Sequence, residues 1–344
     1  MHRIDTGTAQ VDKFGEGKNG FTRGNPQTGT LATELDDDYF DALQEEICGP
    51  IEAAGLSLEK GNRGQLLAAL RSLFLSRSNP GSDIGDDGSS NTFLKNIGLG
   101  TGLTGVIGGA RNAKMTVIST SSQATFTADE LIVGESLGGL QYRIGNFNKT
   151  INLTRTGAGG MDTGSSPNWG YVALYAIYNP TTAESALLAV DSTNSVPSTV
   201  YGGANMPSGF IASALVSIVP TRPGSVFAQL SQIGRTISVR PTPVLSTSTA
   251  TAELTPVDIS GGVPKGAVSV VLVGNTSISG SDGLFLNIYE TSVGTGQHQF
   301  ANTSTGLSAT AADIQLPDSQ MVYATYGPAA SGFSQVLSVC SYKI

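Results

Sequence analysis

A chain of 344 residues, 39 % hydrophobic but only 13 % charged, can pack real cores while carrying about half the usual charged share of roughly 25 %. Its net charge of −8 and lack of any basic stretch argue against nucleic-acid binding, which needs clustered Lys and Arg. The length favours two or three domains, and the absence of an apolar run of about 18 residues excludes a membrane-spanning helix. The start, Met1-His2-Arg3-Ile4-Asp5, has no apolar signal-peptide core, so the expected fate is the cytoplasm of synthesis or release by lysis.

Residues 1–33 are polar and Gly-rich, with Phe14 and Phe21 isolated among Gly15, Gly17, Gly20 and Gly24. Such a segment reads as an extended arm without its own core, anchored on something by the two rings. Asp36-Asp37-Asp38 then opens a helix, one carboxylate capping and the others favouring the positive end of the dipole. Phe40, Leu43, Ile47, Ile51 and Ala54 follow at helical spacing. Gly49-Pro50 predicts a kink or break, and Gly55 a stop. A second amphipathic helix is predicted over 65–77, closed by Asn79-Pro80-Gly81. The pair makes a small hairpin that cannot bury its apolar face alone.

Residues 79–115 form a Gly-rich connector. From Lys114 the hydrophobic period becomes two, with candidate strands at 115–120, 130–133, 141–144, 150–154, 170–179, 185–190, 211–219, 226–233, 235–240, 267–273, 284–290 and 336–342. That is a mainly β signature. Tyr171–Tyr178 is apolar on both faces, which predicts a central or subunit-interface strand. Arg240-Pro241-Thr242-Pro243 marks the expected boundary between two β-sandwich-like domains, 116–240 and 241–344.

Motifs for catalysis are weak. Gly134-Glu135-Ser136-Leu137-Gly138 fits a nucleophile elbow, but Leu140–Ile144 alternates like a strand where a helix should follow, so a tight turn is expected. Gly100-x-Gly102-x-x-Gly105 has no preceding strand. Asp83, Asp86 and Asp87 before Gly88 echo a calcium loop whose distal Glu is missing. Cys48, Cys340, His2 and His298 are the only cysteines and histidines, too dispersed for a zinc site. No cofactor or metal is expected, and the chain reads as a binding protein rather than an enzyme. Trp169, the only tryptophan, sits in the turn-like Ser165-Ser166-Pro167-Asn168-Trp169-Gly170, where packing is favoured over ligand contact. At the far end, Gln297, His298, Gln299 and Phe300 form a polar loop that is a candidate to meet a receptor by hydrogen bonds and stacking, against the plainer reading of a solvated loop.

His2-Arg3-Ile4-Asp5-Thr6, Ala9-Gln10-Val11-Asp12-Lys13-Phe14-Gly15 and Gly17-Lys18-Asn19-Gly20-Phe21-Thr22-Arg23-Gly24-Asn25-Pro26, with Asp36-Asp37-Asp38-Tyr39-Phe40 and Leu58-Glu59-Lys60-Gly61, resemble the start of tail fibre proteins of tailed phages and prophages. The resemblance covers roughly residues 1–78. Leu94 through Gly100 resembles the Leu-Gly-Leu-Gly phrase of fibre shafts, and residues 116–344 more loosely resemble fibre-tip β modules. The resemblance implies a virion component that is a homotrimer. Residues 1–78 would dock on the phage tail or baseplate through Phe14, Phe21, Arg23, Tyr39 and Phe40. The C-terminal domain would bind a host surface glycan or outer-membrane protein. A polysaccharide depolymerase working through paired carboxylates, and a purely structural collar or connector, remain the alternatives.

Overall fold

The structure, a computed structural model, describes residues 2–74, 81–86, 88–97, 105–280, 283–303 and 305–344. The chain divides into two compact units, Met1–Leu94 and Lys95–Ile344.

In the first unit, α1 (Asp37–Ala53) and α2 (Gln65–Leu73) pack as a hairpin. The Gln65 side chain holds the loop between them: its Nε2 donates to the Ser57 carbonyl at 2.5 Å, and its Oε1 accepts from the Glu59 N–H at 3.0 Å. Two further short helices are α3 (Ser82–Asp86) and α4 (Ser90–Asn96). Gly55, at φ +74, ends α1, with its N–H on the Glu52 carbonyl and the Leu56 N–H on that of Ile51. The expected break at Gly49-Pro50 is absent. α1 runs on to Ala53 with Pro50 inside it, in the last turn; the donor it lacks and the ring it adds bear on the turn before it, and the helix continues through both. Asp36 occupies the N-cap position but its side chain makes no capping hydrogen bond; it faces His2 Nε2 at 3.5 Å instead. α2 ends at Leu73; residues 75–80, including the predicted end at Arg77, lie outside the described residues.

The arm is not extended. Backbone bridges join Gln10 to Gly20 and Asn25 to Thr30, Thr8 Oγ1 accepts from the Glu34 N–H at 2.7 Å, and Ile4 is buried. Glycines that reach positive φ, Gly15, Gly17, Gly24 and Gly29, let the chain reverse where other residues would be strained. At Gly24 a Cβ would meet the Ala32 N and Thr30 carbonyl at 2.7 and 2.8 Å.

The second unit is built of strands, which makes the protein mainly β. They are β1 (Ala110–Arg111), β2 (Lys114–Val117), β3 (Gln123–Gly134), β4 (Gln141–Asn152), β5 (Gly160–Met161), β6 (Tyr171–Asn179), β7 (Glu184–Asp191), β8 (Ala212–Arg222) and β9 (Val226–Phe227). Then come β10 (Leu230–Ile233), β11 (Thr236–Thr247), β12 (Thr251–Asp258), β13 (Ser269–Ser277), β14 (Leu284–Tyr289), β15 (His298–Asn302), β16 (Gly306–Gln315), β17 (Met321–Gly327) and β18 (Ser334–Lys343). One sheet of 14 strands has the order β16-β13-β18-β11-β10-β2-β3-β8-β6-β7-β5, with β1 and β4 attached to β3 and β9 to β8. A four-stranded sheet, β12-β17-β14-β15, lies over one end of it. There, a Cβ on Gly274 of β13 would come within 2.2 Å of Leu286 Cδ2 on β14, which is how closely the two layers approach.

The boundary expected at Pro241 is corrected by this topology. Pro241 and Pro243 lie inside β11, and the strand absorbs them through register shifts against β18, between Ser238 and Thr242 and again between Pro243 and Leu245. β11 pairs with β10 only over Thr236–Val239, so no partner on that side needs a donor from either proline. Residues on both sides of position 240 share one sheet and one continuous apolar cluster, from Phe126, Leu131 and Leu174 through to Leu272, Leu337 and Tyr342. The C-terminal facing sheets exist, but not as a separate domain.

β6 is central, between β7 and β8. Its second face is covered by the same chain: Tyr201, with Met206 and Phe210, packs on Ala173, Tyr175 and Ile177. Tyr175 donates its hydroxyl to the Ser198 carbonyl at 2.8 Å. This strand therefore needs no neighbouring subunit to bury it.

Candidate functional site

In the first unit, Phe21 and Tyr39 meet edge to face with centroids 5.3 Å apart, and Tyr39 also contacts His2 and Phe40. The predicted attachment residues thus fall partly together. Phe14, Phe21 and Tyr39, with His2, Arg3 and Asn19, line a concavity of about 450 Å³. Arg23 and Phe40 are exposed and do not line it. Lys13 Nζ donates to the Phe21 carbonyl and lies 5.6 Å from the Phe14 centroid, yet Phe14 remains 63 % exposed. Leu67, Leu70, Leu73 and Phe74 of the second helix and its end are exposed too, and Ile51, Gln65 and Ala69 are the buried residues of α1 and α2. The hairpin leaves its apolar face largely uncovered. His2, Asp5 and Asp36 bring ligand atoms within 4.8 Å of one another, a grouping the sequence spacing did not suggest.

The expected receptor loop is largely strand. His298, Gln299 and Phe300 belong to β15, paired with Ile288, Asn287 and Leu286. Phe300 packs against the main core, so it is held rather than offered. Gln297 precedes the strand, is exposed, and donates through Nε2 to the Tyr289 hydroxyl at 3.2 Å. Alternation His298-in, Gln299-out, Phe300-in was the missed signal.

Gly134–Gly138 forms the β3–β4 turn. The Glu135 N–H donates to the Leu140 carbonyl, the Gly139 N–H to that of Ser136, and Gly138 has φ +77. No helix follows Ser136, and Glu135 instead accepts a 2.7 Å hydrogen bond from the Tyr142 hydroxyl. Asp83 and Asp86 fall in α3; Asp87, and the glycines of the Gly100–Gly105 motif before Gly105, lie outside the described residues, as does the shaft-like phrase beyond Ile97.

A pocket whose other walls the sequence did not reveal centres on Trp169. Its indole is 69 % exposed, contrary to the packing role expected, and the Arg222 guanidinium lies over the ring, 4.6 Å from its centroid. Together with Tyr171, Gln229 and Arg240 they line a cavity of about 370 Å³. The turn is held from several directions. Thr221 Oγ1 donates to the Pro167 carbonyl at 2.6 Å, the Thr221 N–H donates to the Gly170 carbonyl at 2.8 Å, and the Tyr171 N–H donates to Thr193 Oγ1 at 3.2 Å. Gly170 is required there, since a Cβ would lie 2.3 Å from Thr193 Oγ1. Trp169 itself has φ +57, a conformation a bulky residue keeps only when its surroundings enforce it.

Burial pushes the Tyr171 phenol up to about 12, a rise the nearby Arg222 charge moderates. Burial likewise raises Tyr201 and Tyr342, and it raises Tyr142, reinforced there by the Glu135 carboxylate. These groups are held neutral in the folded state, while the unfolded chain ionises near pH 10. Their contribution to stability is therefore intact below pH 10 and lost as pH rises through the folded values. Urea midpoints measured from just below pH 10 to about pH 12 should fall steadily, and a flat profile would contradict the assignment. Replacing Tyr171 by Phe should reduce the slope.

No protein-family profile matches the chain. It is 71 % identical over 102 residues to the uncharacterized protein StfP of Escherichia coli (strain K12), a stretch that is 30 % of this chain and 49 % of that protein. The chain thus spans about half the length of the curated relative it matches.

Proposed function

We propose that the protein is a short tail fibre: a virion component that attaches to a phage tail or baseplate through residues 1–78 and adheres to the host bacterial surface through its β unit. The observation that carries this reading is the contrast between the two units. The first leaves Phe14, Phe40, Leu67, Leu70, Leu73 and Phe74 exposed, as a segment that functions against a partner would, whereas the second covers both faces of its central strands itself. The likeness of residues 1–78 to the start of phage tail fibres supports the same division of labour. Assembly as a homotrimer would give the hairpin copies of itself to pack against, and three adhesive sites on one particle raise avidity through effective concentration. Binding without cleavage of the target is part of the proposal.

A chain lacking residues 1–78 is expected to stay folded, to bind cells and block phage adsorption, and to fail to join tails. The full chain should show about three times its 35.3 kDa mass by light scattering. Normal incorporation of the shortened chain would refute the anchor. Release of reducing ends from host polysaccharide would make the protein a depolymerase.

A further inference from the structure

We infer that the Trp169 pocket binds a carboxylate-bearing sugar, such as a hexuronic or ulosonic acid of a bacterial surface glycan; the inference rests on the adhesive reading above. Three features converge. The cavity, about 370 Å³, falls in the range of small-molecule sites and has room for a sugar unit. An exposed indole offers the flat apolar area against which the C–H face of a pyranose packs with little entropy lost, since the ring is already fixed.

The third feature is charge. Arg222 and Arg240 both line the cavity and none of its lining residues is acidic. Among the described residues, no carboxylate forms an ion pair with either guanidinium. In a chain of net charge −8, two cations without acidic partners in one hollow make a distinct positive feature. Arg222 is fixed by its stacking on Trp169 and by donation from Nη1 to the Thr221 carbonyl at 3.0 Å. A planar guanidinium held this way presents its remaining donors in a fork that matches a carboxylate two-point fashion. Gln229 and Thr120, also lining the cavity, supply neutral partners for sugar hydroxyls. A neutral sugar could accept from the arginines through its hydroxyls but would leave both positive charges uncompensated and forgo the charge-assisted bonds.

Because Trp169 is the only tryptophan in the chain, its fluorescence reports on this pocket alone. Methyl glucuronide and the methyl glycoside of ketodeoxyoctulosonate, titrated into the full-length protein, should change the emission saturably; methyl glucoside should bind at least about tenfold more weakly, the loss expected for one charge-assisted contact. Glucose phosphate separates a carboxylate site from a general anion site. Arg222→Gln should weaken the acidic sugars about tenfold or more without moving the melting temperature, and Arg240→Gln, at a separate place on the rim, should weaken them too. Equal binding of glucoside and glucuronide, tighter binding of the phosphate, or affinity unchanged in both variants would overturn the proposal. Adhesion of the same protein to host cells is measured in parallel. Cell binding without any response to acidic sugars sinks this site alone, while absence of cell binding sinks the adhesive reading itself.

Discussion

A chain ending at Phe333 is expected to lose the whole β unit and not merely its last third. β18 lies between β11 and β13, so its removal splits the large sheet at an interior strand. Leu337, Val339 and Tyr342 are buried on that strand, and each apolar side chain fully buried stabilises by about 1.5–3 kcal/mol. Three such losses, with two ladders of backbone hydrogen bonds, rival the whole stability of an ordinary domain, about 5–15 kcal/mol. The Tyr342 hydroxyl also donates to the Ile218 carbonyl at 2.8 Å, deep in the first half of the unit. Circular dichroism of the shortened chain should show no cooperative melt, and limited proteolysis should leave no protected fragment covering 110–240. A resistant, cooperatively melting fragment of that span would restore the two-domain reading. For the same reason, a chimera that exchanges the tip should fold when joined near residue 95 and fail when joined at 241.

The second large effect is expected at Gln232, a buried amide on β10. Its Oε1 accepts from Ser217 Oγ at 2.6 Å, and its Nε2 donates to the Val216 and Gly234 carbonyls at 2.9 Å each. Every polar atom of the side chain is used, which is why the residue is tolerated where water is absent. Gln232→Leu keeps the volume but strands three partners, each costing about 1–3 kcal/mol when left unsatisfied. A net loss of about 3–5 kcal/mol should appear as a lower urea midpoint with an unchanged slope. Ser217→Ala alone should cost less, and the double variant less than the sum, because both act on one network. A loss for Gln232→Leu below about 1 kcal/mol would mean that the network is not satisfied as described.

How far the sequence was legible follows from which signals are local. Strands with β-branched and aromatic residues in alternation, such as Val336–Tyr342 and Leu284–Glu290, are legible directly. β12, β16 and β17 are not: Thr251–Asp258 contains Pro256, and Gly306–Gln315 is a run of Ser, Ala and Thr with little hydrophobic contrast. Pro256 is tolerated because β12 is an edge strand. The Pro241-Thr242-Pro243 boundary misled for a related reason, since a bulged strand with one side unpaired accommodates prolines that a central ladder would reject. In the arm, the glycines are visible but the reversal they permit is not, because the bonds that close it, Gln10 with Gly20 and Thr8 with Glu34, join residues far apart in sequence. The Trp169 pocket was the least legible feature. Its walls come from Thr120, Trp169, Arg222, Arg240 and Gly262, and only pairing across the large sheet collects them.

The placement of β18 also bears on how the protein is made. A ribosome delivers β11 and β13 well before their shared neighbour, and the Tyr342–Ile218 contact joins residues 124 positions apart. At about 5–20 residues per second, the strand edges waiting for β18 stay open on the order of 10 s, far longer than local hairpins need to close. During that interval the nascent chain presents unpaired backbone beside apolar side chains, the combination that invites pairing with other nascent copies. Yield in a heterologous host should therefore respond to slower translation and to chaperones that shield nascent chains more than to any change in the stability of the finished protein.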